Sequence, residues 1–473
     1  MSHNSIRVRF APSPTGHLHI GGLRSALFNW LYARRYNGTF LLRIEDTDIE
    51  RSKDEYTKAL LEALEWAGVH SDEPIVIQSE RIEIHRKLIH NLLQQGKAYY
   101  CTCSADDVIK RLKESGQDIL FIKYDGYCRS RNNTHGAVRF KIPENMSDIS
   151  FHDLIRGDIT VNMAQLDDFI IMRTDGTPMY NFVVVADDAH MNISHVIRGE
   201  EHISNTPKQI LLYQALEFRI PNFAHLPLIL GPDGNKLSKR DAATAVIDYK
   251  TAGYLPDALV NYLVRLGWAH GDQEIFSRQE MIASFSLEAV SKKGAIFDQK
   301  KLDWMNGYYI RNADNKTIRN LIEQDVDVSF ESCVAQWTSE QINSLIELYK
   351  QRSHTLKELA YHIINFSQDP DTYITADVMQ WTSAQTPSQL QELVSFLQGY
   401  AGSLSELEQA IKQWSKERGI KLVAIAQPVR IALLGNSSGP GVFDLIAILG
   451  INKTIIRINK FIQFLQNEIK AQS

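Results

Sequence analysis

Arg9-Phe10-Ala11-Pro12-Ser13-Pro14-Thr15-Gly16-His17-Leu18-His19-Ile20-Gly21-Gly22 is the stretch on which the reading of this chain turns. An apolar run from Ile6 to Phe10 enters it as a short buried strand, and two prolines and a glycine then force a tight loop. Past the Gly pair, Leu23, Leu27, Trp30 and Leu31 recur at helical spacing. Strand, loop and helix in that order bring backbone N–H groups and the positive helix end to one place, where a polyphosphate can sit. His19 adds a donor at the same spot, and the glycines permit close approach. Taken alone this is an anion site of moderate specificity, because most isolated Gly pairs are helix-initiating turns.

Outward from that loop the pattern repeats. Thr39 to Ile44 reads as the next strand, and Ser52 with Glu55 reads as a capping box before Leu60, Leu61, Leu64 and Ala67, with Gly68 as the stop. A third helix is expected over about Ser79 to Gln95. This β–α–β–α order argues for an α/β fold with a parallel sheet. From about Cys101 to His190 short strands follow instead (Ala137–Ile142, Ile149–Phe151, Asp158–Val161, Phe169–Arg173), which reads as a smaller α/β insertion. The βα pattern resumes with a strand at His195–Ile197 and a helix opened by Thr206-Pro207. A sheet interrupted and then resumed implies that its two halves pair in space. Beyond about Ile310 strand signals nearly vanish, and helical runs are expected at Thr317–Gln324, Ser339–Gln351, Ser388–Ala401, Ser405–Arg418 and Thr454–Gln466, so the last third reads as all-α.

The bulk numbers set limits. At 473 residues the chain should hold two to four domains, and 44% hydrophobic with 23% charged residues is ordinary for a globular enzyme. No apolar run approaches the ~20 residues of a membrane span, and Met1 to Arg9 lacks the apolar core of a secretory signal, so a cytoplasmic location is expected. The net charge of −5 does not advertise nucleic-acid binding, although phosphate contacts need only a basic face. Three of the four cysteines, Cys101, Cys103 and Cys128, crowd together while Cys333 is alone; that suits a metal site in a reducing compartment better than a disulfide.

A second chemical signal lies far downstream, at Gly231-Pro232-Asp233-Gly234-Asn235-Lys236-Leu237-Ser238-Lys239-Arg240-Asp241. This turn-rich loop carries three cations in the five residues from Lys236 to Arg240, and can stabilise charge developing on a departing pyrophosphate. Alone it reads more readily as a solvated basic loop. The two segments together are far more specific. The first resembles the HIGH element of class I aminoacyl-tRNA synthetases, with Gly22 in place of the last His, and Lys236-Leu237-Ser238-Lys239-Arg240 resembles their KMSKS element. The Ala-Pro-Ser-Pro-Thr-Gly lead-in, Leu42-Arg43-Ile44-Glu45-Asp46-Thr47-Asp48, Val196-Ile197-Arg198-Gly199-Glu200-Glu201-His202, and Phe297-Asp298 with Lys301 to Asn306 are similar to the bacterial glutamyl-tRNA synthetases.

That resemblance implies an ATP-dependent, Mg2+-assisted ligation of L-glutamate to tRNA-Glu, with tRNA-Gln as a further acceptor in some members, by a monomer. It implies a Rossmann-type catalytic domain in two halves (1–100 and 191–244), an acceptor-end-binding insertion (101–190), a stem-contact domain (245–311) and an all-helical anticodon-binding region (312–473). A glutaminyl-tRNA synthetase shares the catalytic motifs, but its anticodon region is built of β-barrels and this tail reads helical. By similarity, Arg9, Ala11, Ser13, Glu45, Tyr180 and Arg198 line the glutamate pocket, with Glu45 meeting the ammonium. His19, Gly21, Gly22, Glu201, His202 and Lys239 meet ATP, and His19, Lys236 and Lys239 serve catalysis. The residue types fit, since a substrate carboxylate wants a forked guanidinium and an ammonium wants a carboxylate. The resemblance also implies a structural Zn2+ held by Cys101, Cys103, Tyr124 and Cys128, with His135 as a rival donor. It places Lys292, Lys293, Lys300 and Lys301 against the inner side of the tRNA. Lys412, Lys416, Arg418, Lys421 and Arg430 are candidates for the anticodon end. Trp337, Trp381 and Trp414 could stack on bases, though core filling is the commoner use of each.

Overall fold

A computed structural model describes residues 5–48, 51–115, 123–237 and 245–472. The chain divides into two compact units, Met1–Asp248 with Pro256–Gln299, and Tyr249–Leu255 with Lys300–Ser473. Among the described residues no helix is long and apolar enough to cross a membrane.

In the first unit, strand Arg7–Phe10 runs parallel to Thr39–Ile44, which runs parallel to Val76–Ile77. The central strand is buried along five of its six residues, as expected where both faces of a parallel sheet are covered. Helix Ile20–Arg35 supplies one cover, burying Leu23, Leu27, Trp30 and Leu31 as the spacing predicts. A second sheet has the order Gly157–Asn162, Asp148–Asp153, Asn222–Leu226, His195–Gly199, with its last two strands parallel. The two sheets are tied where Ser194 N–H donates to the Arg7 carbonyl at 2.9 Å and Arg7 N–H donates to Ser194 Oγ at 2.8 Å. The halves on either side of the insertion therefore do meet in space.

The segment expected as an insertion is less separate than its sequence suggests. Its antiparallel sheet recruits Ala98–Cys101 to pair with Ala137–Phe140, which pairs with Ile170–Met172. Its hairpin, Asp148–Asp153 with Gly157–Asn162, extends the second sheet through Phe223 opposite Asp153. Val138, Phe140, Phe169 and Ile171 share one core with Phe182, Val196 and Phe223.

One local expectation fails. Helix Asp54–Trp66 has Lys53 at its N-cap with no side-chain capping bond, and Ser52 Oγ is buried without a partner among the described residues. Lys53 N–H donates to the Pro14 carbonyl at 3.3 Å, and that tie sets the helix start one residue beyond the predicted box. Gly68 does end the segment, at φ +66°.

The second unit is helical in its described residues. The predicted helices appear as Asn315–Leu321, Ser339–Lys350, Thr386–Gln398, Leu407–Glu417 and Ile451–Gln472. Five more stand where no periodicity was read: Phe330–Val334, Leu356–Ser367, Thr375–Trp381, Leu422–Leu434 and Val442–Leu449. Leu422–Leu434 is apolar nearly all round and carries Pro428 inside, which erases the amphipathic signal. Trp337 and Trp414 are 6% and 3% exposed, so both fill the core.

Candidate active site

A cleft of about 430 Å³ opens at the C-terminal ends of strands Arg7–Phe10 and His195–Gly199, against the start of helix Ile20–Arg35. Ligands commonly bind at that edge of a parallel sheet. Every residue predicted for the glutamate pocket lines it: Arg9, Ala11, Ser13, Glu45, Tyr180 and Arg198. So do His19, Gly21, Gly22, Glu201 and His202 of the predicted ATP set.

The loop is shaped for close approach. His19 is the N-cap of the helix, its Nδ1 accepting the Gly21 N–H at 3.0 Å. In a neutral ring that bond puts the proton on Nε2, which then serves as a donor. A Cβ on Gly22 would stand 2.9 Å from Leu18 Cδ1 and 3.6 Å from the Phe10 ring, so the missing side chain lets the helix begin against the strand.

Behind the cleft wall lies a buried charge network. Arg9 donates to Asp188 through Nε at 3.0 Å and Nη2 at 3.2 Å. Arg43 donates to Asp188 Oδ1 at 2.6 Å, and through Nε and Nη2 to Glu45 Oε1 at 3.3 and 2.9 Å. Two guanidiniums thus face two carboxylates, and such a cluster is tolerable in a low dielectric because its charges balance and each is hydrogen-bonded to an opposite one. Burial opposes the charge on Asp188, but Arg9 and Arg43 together hold it below the ordinary carboxylate range. Glu45, with Arg43 as its one bonded partner, is pushed upward by burial, which outweighs that attraction. Both bonds to Glu45 end on Oε1; Oε2 has no protein partner among the described residues.

Arg198 is built differently. It is 7% exposed, with Nε donating to His225 Nε2 at 3.1 Å and Nη2 donating to Thr206 Oγ1 at 2.8 Å. Its Nη1 is buried with no partner, and no carboxylate bonds the group among the described residues. Burial pulls its pKa down, because no bonded carboxylate offsets the cost of desolvation. Nearby, Tyr180 Oη lies 3.0 Å from His202 Nδ1. Burial, then Glu45, pushes Tyr180 up to about 12; burial, then the Arg198 charge, lowers His202 to about 4. Both groups are therefore neutral hydrogen-bonding groups at pH 7.

The second motif is only partly in view. Lys236 closes a tight turn, bridged to Leu230, with Gly231 N–H donating to the Asn235 carbonyl at 2.8 Å. Lys236 is not among the residues lining the cleft. Ser238, Lys239 and Arg240 lie outside the described residues.

The cysteines converge as their spacing predicts. The sulfurs of Cys101, Cys103 and Cys128 lie within 4.8 Å of one another, and Tyr124 Oη is 3.4 Å from Cys101 Sγ. Against burial, which disfavours the thiolate, the Thr102 N–H and the Tyr124 hydroxyl bring Cys128 down to about 6. Burial, then the bond to Cys128, pushes Cys103 the other way, up to about 11, so the thiolate character that fits a soft divalent cation rests on Cys128. His135 does not join the group.

Of the basic residues, Lys292 Nζ donates to the Arg156 carbonyl at 3.3 Å. Lys412 pairs with Glu408 at 2.6 Å and Arg418 with Glu392 at 3.3 Å. Arg430 donates to the Pro440 carbonyl and Gln427, and is half-buried. Lys416 and Lys421 are exposed.

Sequence reading missed Asp188, Arg43 as a bridge, His225 and Asp153. One signal was available for Asp188: Asp187-Asp188 sits inside the otherwise apolar run Phe182–Ala189, where solvated acids do not belong.

Comparison with known proteins agrees with the geometry. The profile described as tRNA synthetases class I (E and Q), catalytic domain, matches residues 5–304, and an anticodon binding domain profile matches residues 320–462. A glutamate–tRNA ligase of Trichlorobacter lovleyi is 42% identical, covering 98% of this chain and 99% of its own. One from Nitratidesulfovibrio vulgaris is 43% identical, covering 97% and 99%. The crystal structure of a glutamate tRNA ligase from Elizabethkingia meningosepticum, in complex with its amino acid, matches with a TM-score of 0.87 at 32% identity, over 97% of this chain and 99% of that one. With a catalytic-domain profile over most of its length and relatives this similar from end to end, the chain belongs to the glutamate–tRNA ligase family of class I tRNA synthetases.

Proposed function

We propose that the chain activates L-glutamate with Mg2+-bound ATP to glutamyl-adenylate and pyrophosphate, then transfers the glutamyl group to the 3′-terminal adenosine of tRNA-Glu, releasing AMP. The observation that carries this reading is the buried, unpartnered Nη1 of Arg198 in a cleft shared with Arg9, Glu45 and a capped helix N-terminus. Arg198 receives the substrate side-chain carboxylate, and Glu45 the ammonium. Arg9, Ala11, Ser13 and Tyr180 complete the pocket. His19, Gly21 and Gly22 meet the phosphates, Glu201 and His202 flank the nucleoside, and Lys236 and Lys239 neutralise the departing pyrophosphate. The substrate α-carboxylate attacks the α-phosphorus directly, so no general base or covalent nucleophile is needed. Positioning and charge neutralisation supply the rate.

Segment 101–190 is assigned to the acceptor end, 245–311 to the stem and 312–473 to the anticodon. Lys292, Lys293, Lys300, Lys301, Lys416 and Lys421 are then phosphate contacts, each costing a roughly uniform loss of affinity when removed. The test is glutamate-dependent exchange of pyrophosphate into ATP, with and without tRNA. Exchange is expected only with tRNA present, followed by charging of tRNA-Glu; tRNA-Gln assayed in parallel fixes the acceptor range. Robust exchange without tRNA contradicts this assignment.

Cys101, Cys103, Tyr124 and Cys128 are the residues that would hold a structural zinc, which would cross-link the end of strand Ala98–Cys101 and the turn after it to the segment 124–128. Elemental analysis is expected to find about one zinc per chain, and Cys101→Ser to abolish it and lower the melting temperature. Metal-free protein of unchanged stability and charging activity would reduce the cluster to ordinary thiols.

A further inference from the structure

Arg198 does not stand alone; a chain of buried groups runs away from it. Its Nε donates to His225 Nε2, and His225 Nδ1 lies 2.6 Å from Asp153 Oδ2. Both His225 and Asp153 are fully buried. Asp153 is itself fixed, its Oδ1 accepting the Ile155 N–H at 3.0 Å and the Arg156 N–H at 2.8 Å. His225 stacks on Phe223 with ring centroids 6.3 Å apart, and the same Phe223 ring lies under the Arg198 guanidinium.

The proton positions follow from these bonds. Against the cost of burial, the His225 N–H and the Arg156 and Ile155 backbone N–H groups hold Asp153 below the usual carboxylate range, so it is an anion that only accepts. Nδ1 of His225 must then carry the ring proton. Burial, and then the Arg198 charge, lower the His225 pKa against the pull of Asp153, so the ring is neutral and its Nε2 is a lone pair. That lone pair is what the Arg198 Nε–H needs. The Thr206 hydroxyl oxygen, 3.2 Å from the same nitrogen, accepts from Nη2. Two of the three guanidinium nitrogens are thereby committed to the protein and Nη1 is left over.

We propose that Asp153 and His225 are positioning residues which lock the Arg198 fork in one orientation, and that this lock sets discrimination of glutamate from glutamine. The inference rests on the reading of Arg198 given above. A fixed N–H donor meets the carboxylate of glutamate well, whereas the amide of glutamine must turn its oxygen inward and leave its NH2 unpaired. A guanidinium free to swing away loses part of both preferences. Asp153 reaches this role from the hairpin Asp148–Asn162, so a strand from the inserted segment shapes the amino-acid pocket.

The experiment uses the full-length protein with tRNA present, varying glutamate at saturating ATP in the exchange assay, with glutamine as competitor. Asp153→Asn keeps shape but offers an NH2 to Nδ1; that moves the ring proton to Nε2, which then faces the Arg198 Nε–H donor to donor. His225→Met removes the acceptor. His225→Gln restores both a donor and an acceptor at similar spacing. Asp153→Asn and His225→Met are expected to raise the glutamate KM and to narrow the glutamate–glutamine ratio by about ten-fold or more, with kcat and the ATP KM little changed. His225→Gln should recover most of both. A merely structural pair would lower the melting temperature of all three variants while leaving glutamate KM and the ratio at wild-type values, and that result overturns the proposal. If His225→Met does not fold, Asp153→Asn alone decides on the same readout. Arg198→Ala is the control for the underlying reading. A raised KM there with an unmoved Asp153→Asn sinks only the lock, while an unmoved Arg198→Ala sinks the pocket assignment and the lock with it.

Discussion

Asp188→Ala is expected to destabilise the protein by about 3–5 kcal/mol, read as a fall in denaturation midpoint, because it breaks a buried ion cluster by removing one partner. The carboxylate is 1% exposed and accepts three bonds from Arg9 and Arg43. Without it two buried guanidiniums would share a single acid, Glu45, and one would have to find water. Asp188→Asn, which keeps two acceptor lone pairs, should lose less. The same group predicts an acid limb. Its folded pKa lies below the unfolded value of about 3.9, so its stabilisation is complete above that value and is lost as pH falls through the folded pKa. In Asp188→Ala that limb should be shallower, although Asp187, which against its own burial is brought down to about 2 by His85 and Arg43, keeps part of it. A variant as stable as wild type at pH 7, with an unchanged acid limb, would mean that the cluster contributes nothing.

What could be read without coordinates divides along a physical line. Most cleft residues stand in short contiguous motifs, so Arg9, His19, Glu45, Arg198 and His202 were named from them and Tyr180 from the family resemblance, and all line one cavity. Their supports were not legible, because a support is chosen by space and not by sequence. Asp188 lies 179 residues from Arg9, and Asp153 lies 72 from His225. Nothing near Asp153 distinguishes a hydrogen-bond anchor from an acid at a hairpin end. The amphipathic helices of the second unit announced themselves by period; Leu422–Leu434, buried on most sides, could not. The parallel pairing of the first strands was inferable from the β–α–β–α rhythm, whereas the recruitment of Ala98–Cys101 into the antiparallel sheet was not, since strand pairing across 36 or more residues leaves no local mark.

Arg198→Ala is expected to raise the glutamate KM by about two to three orders of magnitude while leaving the fold at least as stable as before. The two halves of that statement have one cause. In the free protein Arg198 is a buried cation whose bonds go to neutral groups, a histidine nitrogen, a threonine hydroxyl and a carbonyl. Desolvation lowers its pKa, and Tyr180, neutral at pH 7, supplies no counter-charge, so its presence costs stability. Removing it leaves His225 Nε2 and Thr206 Oγ1 3.2 Å apart, so the Thr206 hydroxyl can donate to the nitrogen that loses Arg198. In the complex the balance reverses. A substrate carboxylate meets a desolvated guanidinium with an uncommitted Nη1, and a charge-assisted bond in a dry site is worth several times one in water. A residue kept for packing shows the opposite pattern, with lower stability and near-normal substrate affinity. Melting temperature and glutamate KM measured on the same preparation therefore separate the two. A melting temperature several degrees down with KM unmoved would make Arg198 a strut, and the pocket would need another partner for the side-chain carboxylate.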